Sequence, residues 1–142
     1  MQLIHLVKTM RDDGTFASGQ KLEGAPIPVL DVAFSPSQPD IVYAADDHDV
    51  FRSEDAGDTW RVCGRPDGGR WEPERITVDA ADPGLLYVPE MGSVVVSRDG
   101  CASWSRTAVP SAYWVNQMAA DPLRPGTVYL GADLGLRVSR DG

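Results

Sequence analysis

The stretch Ser53-Glu54-Asp55-Ala56-Gly57-Asp58-Thr59-Trp60 decides the fold, because the chain writes it again. Ser97-Arg98-Asp99-Gly100-Cys101-Ala102-Ser103-Trp104 is a second copy, with Cys101 in the place of the glycine and Ser103 in the place of the threonine. Ser139-Arg140-Asp141-Gly142 begins a third. Ahead of each copy the same two markers keep their distance: Pro39 and Tyr43, Pro83 and Tyr87, Pro125 and Tyr129. The copies are offset by 44 and then 42 residues. A period in that range marks one supersecondary unit stacked repeatedly on its neighbours.

Outward from the octapeptide, each unit reads as short β-branched and apolar runs broken by Pro, Gly and Asp. The first unit predicts strands over 29–34, 41–45, 49–53 and 59–63. The second predicts 75–78, 85–88, 94–97 and 103–107, and the third 115–119, 127–130 and 136–139. Runs of about five residues with this punctuation indicate antiparallel all-β structure. No segment sustains a 3.6-residue apolar period, so helix is expected to be nearly absent. Four strands in about 43 residues is the proportion of a β-propeller blade. The expected layout is an N-terminal strand or hairpin over 1–26, turning at Asp13-Gly14. Blade 1 then occupies 27–64, blade 2 occupies 65–108, and blade 3 occupies 109–142 and lacks its last strand. About three blades make an incomplete ring, which further blades of a longer chain or association of copies would close.

A net charge of −8 with only 13 scattered Lys and Arg excludes the basic footprint of a nucleic-acid or anionic-membrane binder. No apolar run reaches the roughly 18 residues of a membrane span, and Met1 to Met10 lacks the pattern of a signal peptide. The compartment stays open. Cys63 and Cys101 read as two independent thiols, since a bridge requires Cα atoms within about 7 Å. With His5 and His48 the sole imidazoles, and with Asp46, Asp47 and Asp49 off EF-hand spacing, neither a metal nor a cofactor is expected.

The octapeptide resembles the Asp-box, or BNR repeat, Ser-x-Asp-x-Gly-x-Thr-Trp, and the resemblance covers residues 27–142. Its elements here are Ser53, Asp55, Gly57, Thr59 and Trp60, then Ser97, Asp99, Ser103 and Trp104, then Ser139 and Asp141. These are read as structural. A short Asp side chain on a hairpin accepts hydrogen bonds from its own loop's N–H groups. Gly57 takes a positive φ without steric cost. Trp60 covers the hairpin and needs an acceptor for its indole N–H. Cys101 in the glycine slot should strain that turn or shift its conformation.

The resemblance implies that ligands bind at the end of the blades opposite the boxes. That end is made by the turns between second and third strands and by the links between blades. Candidate ligand-binding residues there are Asp46, Asp47, Glu90 and Asp133 in the turns, and Trp71, Tyr113 and Trp114 in the links. Asp and Gly are also simply good turn formers, and the aromatics are equally suited to packing between blades. Asp47 and Asp133 resemble the catalytic aspartate of xyloglucan-cleaving Asp-box enzymes, in stretches such as Gly131-Ala132-Asp133-Leu134-Gly135. The arginine triad of sialidases is not carried over, because Arg75-Ile76 is followed by Thr77 and lies after the first box. Sortilin-type receptors and photosystem assembly factors imply that such propellers need not be enzymes. The expectation is a binding or scaffold module for a glycan or protein. The alternative is part of a glycoside hydrolase with further catalytic residues outside this chain.

Overall fold

A computed structural model describes residues 28–67, 71–110 and 114–142. Among them are eleven strands and no helix. The first sheet is β1 (Asp31–Phe34), β2 (Val42–Ala45), β3 (Val50–Ser53) and β4 (Arg61–Val62). The second is β5 (Thr77–Val78), β6 (Leu86–Glu90), β7 (Ser93–Ser97) and β8 (Ser105–Ala108). The third is β9 (Val115–Ala120), β10 (Val128–Ala132) and β11 (Gly135–Ser139). Each sheet is an antiparallel meander in chain order, so each is a blade, and the three do not close a ring. The expected hairpin over 1–26 lies outside the described residues.

The repeat markers each have a job. Ile41, Leu85 and Thr127 donate their N–H to the carbonyls of Gln38, Asp82 and Arg124, closing a β-turn at the same place in every blade. Pro39, Pro83 and Pro125 are the second residues of those turns, where a fixed φ near −65° is wanted. Ala56, Gly100 and Gly142 donate to the carbonyls of Asp40, Gly84 and Gly126 at 2.8, 3.0 and 2.9 Å. The octapeptide hairpin is thereby tied to the first turn at one end of each blade. The other end is left to the second turn and the links.

Inner strands are buried on both sides because blades flank them, so they read as unbroken apolar runs instead of alternating ones. Val42-Tyr43-Ala44-Ala45 and Val94-Val95-Val96 are examples. Between the first two blades, Ile41, Tyr43 and Val50 meet Ile76, Val78, Leu86, Val88 and Val95. Between the second and third, Leu85, Tyr87, Val94 and Val96 meet Val115, Met118, Val128 and Leu130. Each fully buried Val or Leu of this kind stabilises by about 1.5–3 kcal/mol. The repeat tyrosine lies in this seam: Tyr43 donates its hydroxyl to the Pro83 carbonyl at 2.6 Å. Tyr87, its equivalent, is equally buried but its oxygen has no hydrogen-bond partner among the described residues. Burial, and next the charge of Asp79, push the Tyr87 hydroxyl up to about 12. Blades are also stitched through carboxylates, with the Ile76 N–H on Asp31 and the Gly126 N–H on Asp79, both at 2.7 Å.

The expectation of two independent thiols is overturned. Cys63 and Cys101 form a disulfide with Cα atoms 5.3 Å apart. Linear reading missed the pair because the cysteines hold different positions in the repeat. Cys63 follows the outer strand of blade 1, and Cys101 belongs to the octapeptide turn of blade 2. The contact is a three-point clamp: Gly64 donates its N–H to the Cys101 carbonyl at 3.0 Å, and Trp104 donates its indole N–H to the Gly64 carbonyl at 2.7 Å. A Cβ on Gly64 would lie 2.5 Å from the Ala102 carbonyl, so glycine is needed for this approach.

Cys101 keeps the conformation of the glycine it replaces, at φ 69°. Each complete octapeptide places two successive residues in the left-handed region: Ala56 and Gly57 in the first, Gly100 and Cys101 in the second. One of the two is a glycine and the other bears the strain, roughly 1–2 kcal/mol for a residue with a Cβ. In the second hairpin the glycine must be Gly100, whose Cβ would collide with the Arg52 guanidinium.

Candidate functional site

The hairpin hydrogen bonds recur from the first octapeptide to the second. Asp55 Oδ1 accepts from the Ser53 hydroxyl and the Thr59 N–H, both at 2.8 Å, while Gly57 donates its N–H to Ser53 Oγ. In the second copy Asp99 Oδ1 accepts from Ser97 Oγ and the Ser103 N–H, both at 2.9 Å, and the Cys101 N–H takes the place of Gly57. The Ser103 hydroxyl and N–H bonds hold the Asp99 carboxyl below the usual carboxylate range. In the third copy Ser139 Oγ donates to Asp141 at 2.7 Å. The two tryptophans differ: Trp60 donates to its own turn at Gly57, whereas Trp104 reaches back to blade 1. With their polar atoms turned inward on the hairpin, these groups hold a turn together.

At the opposite end a groove of about 840 Å³ lies between blades 2 and 3. Its walls are the link entering blade 2 (Glu72, Glu74, Arg75), the β6–β7 turn (Glu90, Met91) and the start of blade 3 (Trp114 before β9, Asn116 in it), with Arg106 of β8 on the outer side. Trp114 and Met91 are 53% and 51% exposed. Glu90 is gripped through both oxygens by Arg106, at 2.8 and 3.1 Å, and also accepts from the Ser93 hydroxyl. The hydrogen bond and charge of Glu90 raise Arg106 above the usual arginine range. Arg75 donates to the Asn116 carbonyl and to Gln117 Oε1, pinning the link entering blade 2 to β9.

Of the candidates read from sequence, Glu90 and Trp114 come together in this groove. Asp46, Asp47 and Asp133 do not line it. Asp46 builds its turn by accepting the N–H groups of His48 and Asp49 at 2.8 and 2.6 Å. Asp47 is exposed and hydrogen-bonded to His48 Nδ1. Asp46, Asp47 and His48 present ligand atoms within 4.8 Å of one another, in a solvent-facing turn whose groups already bond among themselves. Asp133 heads the β10–β11 turn, with its N–H on the Trp114 carbonyl at 3.2 Å. Trp71 packs against Trp104 at 5.3 Å between ring centroids and joins the seam between blades 1 and 2. Its indole nitrogen is buried without a hydrogen-bond partner among the described residues. Tyr113 lies outside the described residues.

Sequence reasoning missed Arg106 and the hydrogen bonds by which Arg75 ties blade 2 to blade 3. A signal for Arg106 was available: in both complete blades an arginine after the octapeptide grips a carboxylate of the second turn 16 residues earlier. Arg65 holds Asp49 at 2.7 and 2.9 Å, and Arg106 holds Glu90.

No protein-family model matches the chain, and no curated protein does. Solved structures do. An ancestral GH74 enzyme superposes with a TM-score of 0.60 at 21% identity, covering 73% of this chain and 13% of that one. YCF48 from Cyanidioschyzon merolae gives 0.62 at 20% identity, over 82% of this chain and 36% of that one. A YCF48 bound to D1 peptide gives 0.61 at 17%, over 80% and 37%. The chain thus spans well under half the length of each. These are β-propeller proteins, and at such identities the likeness establishes the fold.

Proposed function

We propose that this chain is a three-repeat segment of an Asp-box β-propeller, with blades over 27–64, 65–108 and 109–142, that serves as a binding and scaffold module. Its ligand, a protein segment or a glycan, is received in the groove between blades 2 and 3. The Asp-box assignment is supported by the Ser–Asp–Thr/Ser hydrogen bonds that recur in the two complete octapeptides. The observation that carries the binding reading is the groove itself: exposed Trp114 and Met91 offer contact area, while its most enclosed carboxylate, Glu90, is committed to Arg106. A carboxylate whose two oxygens both already accept from an arginine is turned away from a substrate's proton. This favours holding a ligand over cleaving it.

Further sheets are expected to cover blade 3. Leu136 is 74% exposed, whereas its repeat equivalents Val50 and Val94 are 1% and 6% exposed. Strand β11 also lacks the fourth strand that β3 and β7 have. More blades, or association of copies, would supply both.

The test is a screen of arrayed oligosaccharides and short peptides against the chain and its Trp114→Ala variant, alongside assays of aryl-glycoside and xyloglucan hydrolysis. A ligand lost on Trp114→Ala with no hydrolysis supports the module. Hydrolysis abolished by Asp47→Ala or Asp133→Ala sinks it in favour of a glycosidase segment.

A further inference from the structure

The face of blade 1 turned away from blade 2 is buried at its centre, although no described strand lies on it. Val42, Ala44 and Phe51 are 2%, 0% and 9% exposed. Side chains alternate along a strand, so Val42 and Ala44 point opposite to Tyr43 and Ala45, which fill the seam with blade 2. Ala44 and Phe51 are register partners and share a face. Among the described residues the sheet that packs on blade 1 is blade 2, on its other side. An uncovered face looks different: Leu136 and Val138 on blade 3 are exposed. In blade 2 the equivalents of Val42, Ala44 and Phe51 are Leu86, Val88 and Val95, and what buries them is the preceding blade.

The N-terminal segment carries the repeat at the same offset. Leu6, Lys8 and Thr9 stand 44 residues before Val50, Arg52 and Ser53, and Thr15 and Phe16 stand 44 before Thr59 and Trp60. The octapeptides of blades 1 and 2 are separated by the same 44. Two slots depart, with Arg11 for Asp55 and Asp13 for Gly57. This register places 6–9 and 17–18 at the third and fourth strand positions of a blade. We infer that residues 1–26 are the second half of a preceding blade and dock on the outer face of blade 1. Leu6 then meets Val42, Ala44 and Phe51 as Val50 meets Leu86, Val88 and Val95. Lys8 stands where Arg52 donates to the Gly100 carbonyl, so its partner is the Ala56 carbonyl. Gly19 and Gly57 stand where Cys63 and Cys101 are bonded. Gln20 replaces Gly64, whose close approach admits no Cβ, and Trp60 accordingly closes on its own turn instead of reaching back as Trp104 does. A blade or copy that extends the propeller at this end meets the half-blade and not the face of blade 1.

The native disulfide supplies the test, because it spans the seam between two blades. The full chain carrying Gly19→Cys, Gln20→Gly and Gly57→Cys recreates that arrangement one blade earlier, at the separation of 38 residues that the native pair has. After oxidation with glutathione, non-reducing digestion and mass spectrometry should find positions 19 and 57 joined within one chain. An intact Cys63–Cys101 bond in the same sample reports that the blades are folded. Leu6→Ala in the otherwise native chain should lower the melting temperature by about 10 °C, the loss expected of a buried leucine. Leu123→Ala, on an exposed turn, should leave it unchanged. A bond joining two chains assigns the face to a second copy and overturns the inference. Free thiols at positions 19 and 57 beside an intact native bond overturn it too, as does a Leu6→Ala variant that melts with the wild type. Should the triple variant not form the native bond, Leu6→Ala decides alone.

Discussion

Replacing Cys101 by glycine sets two terms of opposite sign against each other, and their sizes can be worked out. The Cys63–Cys101 bond closes a loop with a sequence separation of 38 residues. In the chain-entropy model, removing it returns about 4 kcal/mol of freedom to the unfolded chain. Glycine at this position relieves the left-handed strain that Cys101 bears at φ 69°, recovering about 1 kcal/mol. Cys101→Gly should therefore cost about 3 kcal/mol, and Cys63→Ala, which leaves the strain in place, about 4 kcal/mol. At about 4 °C per kcal/mol for a domain of this size, melting should fall by about 12 °C and about 16 °C respectively. The decisive assay is calorimetry of wild type and both variants, with and without a phosphine reductant. Under reduction the wild type should drop to the level of Cys63→Ala. Cys101→Gly, which has no bond to lose, should then be the most stable of the three. Wild-type melting indifferent to reductant, or two alkylatable thiols in the unreduced denatured chain, would refute the reasoning.

The two seam tyrosines should answer differently to loss of a hydroxyl. Tyr43→Phe orphans the Pro83 carbonyl and should cost about 1 kcal/mol, whereas Tyr87→Phe removes an oxygen without a hydrogen-bond partner among the described residues and should be neutral or mildly stabilising; urea denaturation separates them. Tyr87 is raised from 10 to about 12, so its protonated form is favoured in the fold. That contribution is complete below pH 10 and should fade as pH climbs toward 12, giving an alkaline unfolding limb in far-UV circular dichroism that Tyr87→Phe blunts. Asp99→Ala strips the second octapeptide turn of its bonds from Ser97 and Ser103 and should lower stability by about 1–3 kcal/mol in the same denaturation series, with Asp99→Asn in between.

The fold was legible because turn chemistry is local. Prolines at the second turn position, the Asp of each hairpin and apolar runs between them mark every one of the eleven strands, to within about two residues at most ends. Ile76 shows where the edges slipped: the sequence extends a strand back to residue 75, but the Ile76 N–H is claimed by the Asp31 carboxylate instead of a ladder partner. The site was legible only as an address. Register put Glu90 and Trp114 at the end of the blades opposite the octapeptides, yet what each does depends on neighbours from other strands. Nothing near Glu90 in sequence announces that Arg106 will grip it, and nothing near Trp71 announces Trp104. The cysteine pair was hidden by the repeat itself, since comparing equivalent positions cannot reveal a contact between inequivalent ones.

The clamp between the first two blades has a topological consequence. Everything from Gly64 to Gly100, which includes the whole link and three of the four strands of the second sheet, lies inside one covalent loop. A protease that cuts the exposed link near Asp67 does not release two pieces. It leaves a nicked chain whose halves travel as one on a non-reducing gel and part only when a thiol is added, so proteolytic wear at that surface need not dismantle the particle.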